Sequence, residues 1–207
     1  MIQTCDPPRT LGLRRLSAQE FCTLLQKETS SIYRPHSEVL RMVTVGEVWG
    51  LCASSRQLLA AQPVLPMDAD LALAAALRAC RGWRGIEGGY FLAPPVGAQD
   101  PAQLVAATAA RARQLARGRQ VLAVLDPGAQ QLLPLYLGQG FALRALRPLN
   151  SLAPCFVLAA GTATPRREPV WVPLEDRMQL ARQLAKGYAA LDSRRRDQSI
   201  WLGMYPV

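Results

Sequence analysis

The sequence has little of what several enzyme classes and membrane proteins require. Its one histidine, His36, gives little support to a histidine-based catalytic triad or a histidine metal site. Its five cysteines lie far apart with no Cys-x-x-Cys pair, so we interpret them as buried thiols. No apolar run reaches the roughly 18–20 residues of a membrane span, and the first residues lack the basic-then-apolar order of a signal peptide. We therefore expect a cytoplasmic protein without a metal site.

Acidic residues are also scarce, since 24 Lys and Arg residues face 15 Asp and Glu residues, which gives a net charge of +9. Such a charge would suit nucleic acid, whose phosphates bind Arg and Lys. However, the arginines are spread through Ala- and Leu-rich segments, and only Arg194 to Arg196 form a run. No aromatic residues alternate with basic ones around that run, so we favour a solvated basic surface and regard nucleic acid as an unlikely partner. A nucleic-acid partner would require arginines clustered on one face. A basic surface would also attract an anionic cofactor or an acidic substrate.

The first half of the chain predicts strands and helices that follow each other closely. With 207 residues, half of them apolar, the chain suits one large domain or one domain with an appendage. Residues 10–16 are typical of a strand, and Ser17 and Glu20 form a capping box that begins a helix. Residues 47–54 and 57–64 predict two strands of a β-hairpin. A further helix is expected from Asp68 to about residue 79.

The middle of the chain contains the clearest helix signal. Asp100 is expected at the N-cap, Pro101 at the first helical position, and Gly118 at the end of this helix. The apolar run 121–125 predicts a buried strand, followed by a short helix that carries Tyr136 and has Pro134 in its first turn. Two further strands, 141–148 and 154–160, are expected to pair.

This order of elements, together with two motifs, resembles the GNAT superfamily of acyl-CoA-dependent N-acyltransferases. The motif Tyr136-x-x-x-Gly140-Phe141 follows the predicted strand 121–125, and Leu92-Ala93-Pro94 matches a Val-x-Pro-like step at the end of an earlier strand. The resemblance covers about residues 10–160. It implies an α/β (α+β) fold with a mixed, mostly antiparallel central sheet flanked by helices.

The resemblance also implies direct transfer of an acetyl group from acetyl-CoA to a primary amine of a small molecule or peptide. A backbone N–H near Leu92 or Ala93 would stabilise the oxyanion, and Tyr136 would protonate the leaving thiolate. Glu87 is the candidate for the base that deprotonates the amine. The same resemblance implies cofactor contacts at Leu92, Ala93, Gly97, Ala98 and Ala102. The alternatives are a Tyr136 that packs its ring on the sheet with its hydroxyl at the surface, and a solvated Glu87 in a glycine-rich loop.

The predicted pyrophosphate loop departs from the family pattern. Gly97, Asp100 and Ala102 occupy its key positions, and only Ala102 conforms to the pattern. A carboxylate at Asp100 would compete for the backbone N–H groups that bind phosphates, and its charge would cost roughly 1 to 4 kcal/mol of binding free energy. Two functions therefore remain open. The first is an N-acyltransferase with a degenerate loop, and the second is a catalytically inactive GNAT-like module for ligand binding or interaction.

Residues 161–207 are predicted to form an extension to a domain of residues 1–160. After a short linker, apolar residues from Leu174 to Tyr188 recur at helical spacing, and an apolar tail containing Trp201 and Leu202 follows the arginine run. We expect this helical extension and its apolar tail to pack on the core of their own chain. The alternative is that the tail covers the acceptor cleft or contacts a partner, such as a second copy in a homodimer.

Overall fold

A ten-stranded sheet runs through the described part of the chain, which in this computed structural model comprises residues 12–27, 44–53, 58–67, 74, 75, 77, 90–92, 101–148, 154–161 and 167–207. Strands β1 to β10 span Gly12–Leu16, Glu47–Cys52, Leu58–Pro66, Tyr90–Leu92, Val121–Leu125, Phe141–Arg147, Cys155–Ala160, Val170–Pro173, Tyr188–Arg196 and Ser199–Pro206. Helices α1 to α4 span Ala18–Lys27, Ala102–Ala116, Leu133–Gly138 and Arg177–Ala185, and a 3-10 helix spans Pro127–Leu132. Residues 74, 75 and 77 are also helical.

The strands lie in the order β1-β2-β3-β4-β5-β7-β6-β9-β10-β8. Among the described strands, β4 and β5 form the only parallel pair, and all the other neighbours are antiparallel. The predicted hairpin is the β2–β3 pair, and the two predicted strands after Tyr136 are the β6–β7 pair. The expected mixed, mostly antiparallel sheet is therefore confirmed.

Helix α1 begins at the capping box that the sequence predicts. The backbone N–H of Glu20 donates to Ser17 Oγ at 3.3 Å, and the backbone N–H of Ser17 donates to Glu20 Oε2 at 2.9 Å. These reciprocal bonds satisfy two backbone donors that the first turn of a helix otherwise leaves without partners.

Helix α2 starts one residue later than predicted. Pro101 occupies the N-cap position with φ −75° and ψ −5°, and its carbonyl accepts the first helical hydrogen bond from Val105 at 2.8 Å. Asp100, the predicted N-cap, lies outside the described residues. The predicted stop is confirmed, because Arg117 and Gly118 leave the helix with φ of 49° and 85°.

Helices cover both faces of the sheet. Successive side chains of β3 point to opposite faces of the sheet. Ala60 packs with Leu104 of α2 on one face, and Ala61 packs with Phe21 of α1 on the other. Helices α3 and α4 share the face of α2, and their buried residues join the main core. That core includes Val105, Ala109, Ala123, Leu125, Tyr136, Phe156, Leu158, Leu180 and Leu202.

The cysteines that the structure describes agree with the sequence. Cys22, Cys52 and Cys155 are buried thiols, as predicted, and Cys5 and Cys80 lie outside the described residues. In the described part of the chain, no helix has the length and apolarity that crossing a bilayer requires.

The C-terminal region forms more sheet than the sequence predicts. The helical spacing was expected to continue to Tyr188, but α4 ends at Ala185 and Tyr188 begins β9. Gly187, with φ 85°, turns the chain from α4 into β9. The predicted apolar tail is β10, and its Leu202 and Met204 are fully buried in the main core. These two side chains lie in the same core cluster as Val105 of α2 and Leu125 of β5. The boundary between residues 160 and 161 stays a prediction.

Candidate active site

The two parallel strands define the centre of the candidate site. Strand β4 pairs with the first three residues of β5, ending at Leu92 opposite Ala123. Strand β5 then continues to Leu125, and its last residues pair with β7 on the other side. Helix α2 follows β4 in the chain, and the 3-10 helix and α3 follow β5. The carboxyl ends of parallel strands are where open α/β sheets bind ligands, so this end of β4 and β5 is the candidate site.

Tyr136, on α3, takes part in a buried chain of hydrogen bonds that joins three elements. The side-chain amide Nε2 of Gln62, on β3, donates to the Tyr136 hydroxyl oxygen at 2.6 Å. The hydroxyl of Thr108, on α2, donates to Gln62 Oε1 at 2.8 Å. All three residues have an exposed fraction of 0%. Polar groups buried this deeply hold fixed positions because each needs its partner.

The strand register places this chain of hydrogen bonds beside the end of β4. Val64 of β3 pairs with Leu92 of β4 in an antiparallel register, so Gln62 lies two residues, about 7 Å, beyond the Leu92 level. Gln62 and Val64 point to the same face of the sheet, where α2 and α3 pack. The Gln62 residue that binds the Tyr136 hydroxyl therefore lies just beyond the level where the described pairing of β4 with β5 stops.

The surroundings of Tyr136 keep its hydroxyl protonated. Burial raises its pKa well above the ordinary value of 10, and the Gln62 hydrogen bond offsets only part of this effect. The alternative prediction, in which the hydroxyl lies at the surface, is wrong: the ring packs edge-on against Phe141 and the hydroxyl is buried with it.

The structure describes only part of the predicted site. Leu92 ends β4, and Ala102 is the first residue of α2. The other predicted site residues lie outside the described residues, and their roles stay predictions; they are Glu87, Ala93, Gly97 and Ala98. Asp100, on which the predicted weakening of phosphate binding depends, lies outside them as well.

Glu47 is a partly buried carboxylate near the site that sequence reasoning missed. Its two oxygens accept hydrogen bonds from Arg111 Nε at 2.8 Å and Nη2 at 2.6 Å, and Trp49 Nε1 donates to it at 3.2 Å. These hydrogen bonds, with Arg111 first, lower the pKa of Glu47. A carboxylate held ionised in this way is a poor acceptor for an amine proton, so Glu47 instead ties β2 to α2.

Gln62 and Thr108 are further residues that the sequence did not single out as part of the site. A glutamine in an apolar strand and a threonine on the apolar face of a helix were the available signals. Those signals do not identify the hydrogen-bond partners, because Thr108 and Gln62 lie 46 residues apart in the sequence, and Gln62 and Tyr136 lie 74 residues apart. Among the residues that the structure describes, no group of three or more His, Cys, Asp or Glu side chains is placed to hold a metal ion.

Comparison with solved structures identifies the fold. FeeM, an N-acyl amino acid synthase from uncultured soil microbes, matches with a TM-score of 0.50 and 18% identity over 73% of this chain and 91% of its own. A protein from Bordetella pertussis described as a GnaT-family acetyltransferase matches with a TM-score of 0.52 and 13% identity over 77% of this chain and 100% of its own. An N-acetyltransferase from Staphylococcus aureus matches with a TM-score of 0.50 and 12% identity over 73% of this chain and 97% of its own.

The sequence itself has no comparable match. No protein-family model matches it, and no curated protein is significantly similar to it. The structural matches show that this chain has the fold of the GNAT superfamily.

Proposed function

We propose that this protein is an N-acyltransferase that transfers the acetyl group of acetyl-CoA directly to a primary amine. The observation that carries the proposal is the buried Tyr136 hydroxyl, protonated and held by Gln62 at the end of the β4–β5 pair. An acyl transfer from a thioester needs a proton donor for the departing sulfur, and a neutral tyrosine hydroxyl can supply that proton. The three similar structures are described as an N-acyl amino acid synthase and two acetyltransferases, which agrees with this class of reaction.

In the proposed reaction, the amine nitrogen attacks the thioester carbonyl carbon. A C–N bond forms, the C–S bond breaks, and the thiolate takes the Tyr136 proton. Glu87 is the proposed base for the proton that the amine loses. Backbone N–H groups at Leu92 and Ala93 are the proposed donors to the carbonyl oxygen as it becomes negative.

The proposed contacts with CoA are at Gly97, Ala98 and Ala102, near the start of α2. A helix N-terminus favours phosphate because its first N–H groups have no helical partners. Asp100 works against this arrangement through its charge. Replacing it by glycine should therefore tighten CoA binding by up to about a thousand-fold.

The test is a calorimetric titration with acetyl-CoA and with CoA, followed by an assay for acetylated product on a panel of primary amines. Tyr136→Phe should lower kcat by about 10²- to 10⁴-fold and change acetyl-CoA affinity little, because it removes the proton donor and keeps the ring. It also removes the buried partner of Gln62 Nε2, so urea unfolding first checks that the variant is folded. Tyr188→Phe, which removes a hydroxyl on β9, is the control and should retain activity.

Other outcomes would change the proposal in distinct ways. If the native protein fails to bind and Asp100→Gly gains binding, the fold carries a disabled site, and the protein is an inactive binding module. If neither protein binds acetyl-CoA, the proposal is wrong.

A further inference from the structure

The three C-terminal strands bring aromatic and basic side chains together on one face. Strand β10 lies between β9 and β8, and its Trp201 is opposite Arg194 on β9 and Pro173 on β8. The next residue on the same face, Gly203, is opposite Trp171 of β8. A Cβ on Gly203 would lie 3.4 Å from the Trp171 ring, so the indole lies directly over this glycine.

This face is turned away from the core. The alternate residues of the same strands, Val172 on β8 and Leu202 on β10, are fully buried in the main core beside Leu180 of α4. Successive side chains on a strand point to opposite faces, so the tryptophans and their arginine neighbours lie on the side without α4. Arg194 and Arg196 are exposed, while Trp171 and Trp201 are half-buried. We call these four residues the aromatic-basic face.

Arg194 stacks on Trp171, and Arg196 lies at the outer limit of cation–π distance from Trp201. The Arg194 guanidinium carbon lies 3.9 Å from the Trp171 ring centroid, and that of Arg196 lies 5.9 Å from the Trp201 centroid. A guanidinium held over an aromatic ring keeps its in-plane N–H groups available, and these fit phosphate oxygens. Stacking also orders the side chain beforehand, which lowers the entropy lost on binding.

The aromatic-basic face carries more positive than negative charge, since Arg194 and Arg196 share this side of β9 with one carboxylate, Asp192. No described carboxylate lies within ion-pair distance of Arg194 or Arg196. Asp192, the acidic residue on the same side of β9, accepts a hydrogen bond from its neighbour Ser193. With a net charge of +9 for the whole chain, this face is suited to an anionic partner.

We propose that the aromatic-basic face binds single-stranded nucleic acid. A single strand offers phosphates to the two arginines, and its unpaired bases can stack on the outer face of the Arg194 guanidinium and contact the half-buried Trp201. A duplex hides its bases in the stack. An acidic peptide offers charge but lacks the planar bases that the tryptophans can contact. The sequence alone does not reveal this face, because residues 171 and 194 come together only when β8 and β9 pair with opposite edges of β10.

The test is the fluorescence anisotropy of a short labelled oligothymidylate and of an RNA of the same length, measured between about 50 and 200 mM salt. The double variant Arg194→Gln/Arg196→Gln should weaken binding at least about ten-fold and flatten the dependence on salt. The matched control is Arg117→Gln/Arg182→Gln, which removes the same charge from exposed positions at the end of α2 and on α4. It should change the affinity less than about three-fold. Trp171→Leu should weaken binding without changing net charge.

Three results would overturn the proposal. The first is no binding by the native protein. The second is an equal loss of affinity in both double variants, which would mean general attraction to a basic protein. The third is displacement of the oligonucleotide by polyglutamate as effectively as by unlabelled strand, which would indicate an acidic protein partner. Urea unfolding of each variant checks that a loss of affinity does not come from a loss of fold.

Discussion

At the residue scale, Glu47 shows how one carboxylate holds two distant elements together. Replacing Glu47 by glutamine should lower the free energy of unfolding at pH 7, because Arg111 on α2 loses its two charge-assisted hydrogen bonds to β2. The folded-state pKa of Glu47 is depressed, so its stabilisation is complete above the unfolded value near 4.5 and is lost as the pH falls through the folded pKa. The difference between native protein and variant in urea unfolding should therefore shrink on acidification.

Glu168→Gln is the control for this prediction, since Glu168 is exposed. It should leave the urea midpoint unchanged at pH 7. A Glu47→Gln variant whose deficit stays constant from neutral to acid pH would show that the carboxylate contributes by packing and not by its charge.

The candidate site was predictable from sequence only where a local motif marks a residue. Tyr136 stands out because a glycine and an aromatic residue follow it at fixed spacing. Gln62 and Thr108 do not stand out, because each is a single polar residue in an apolar segment whose partner is set by the packing of α2 over β3. Burial decides the protonation of Tyr136, and burial is a property of the packed structure.

At the scale of an element, the capping box of α1 allows a direct measurement. Ser17→Ala removes the hydroxyl oxygen that accepts a hydrogen bond from the Glu20 backbone N–H at 3.3 Å. Alanine has no acceptor to replace it, so this N–H loses its partner. It should destabilise the protein by about 1 kcal/mol in urea unfolding. Gln19→Ala, at an exposed position of the same helix, should change stability by less than about 0.5 kcal/mol. Equal effects of the two substitutions would show that the cap contributes nothing.

Elements with local signals were the predictable ones. Short-range signals determine the elements from β5 to α3. The signals are the apolar run of β5, Asp126 directly after it, and Pro134 in the first turn of α3. The C-terminal region was mispredicted in part because Leu174, Met178, Ala181, Ala185 and Tyr188 fit helical spacing across a real boundary. Gly187 ends that periodicity, and the strands after it are stabilised by cross-strand partners that helical spacing does not reveal.

At the scale of the whole molecule, the C-terminal strands extend the sheet past β6. Strand β9 pairs with β6 through Leu143 and Ala190, and β10 and β8 follow it. The similar structures match 73 to 77% of this chain, so about a quarter of the chain lies outside each match. The pairing of β9, β10 and β8 with the rest of the sheet depends on the register between strands that are distant in sequence. The order of elements alone does not determine that register.

Leu202→Ala tests whether the two predicted parts of the chain unfold together. Leu202 is fully buried on β10 in the same core as Val105 of α2 and Leu125 of β5, so the cavity should cost about 2 to 5 kcal/mol. If residues 12–207 unfold cooperatively, tryptophan fluorescence and far-ultraviolet circular dichroism should report one coincident urea transition, shifted equally by the substitution. Val170→Ala, at an exposed position of β8, should shift it little. Two separate transitions, with only one moved by Leu202→Ala, would instead support a separate unit of residues 161–207.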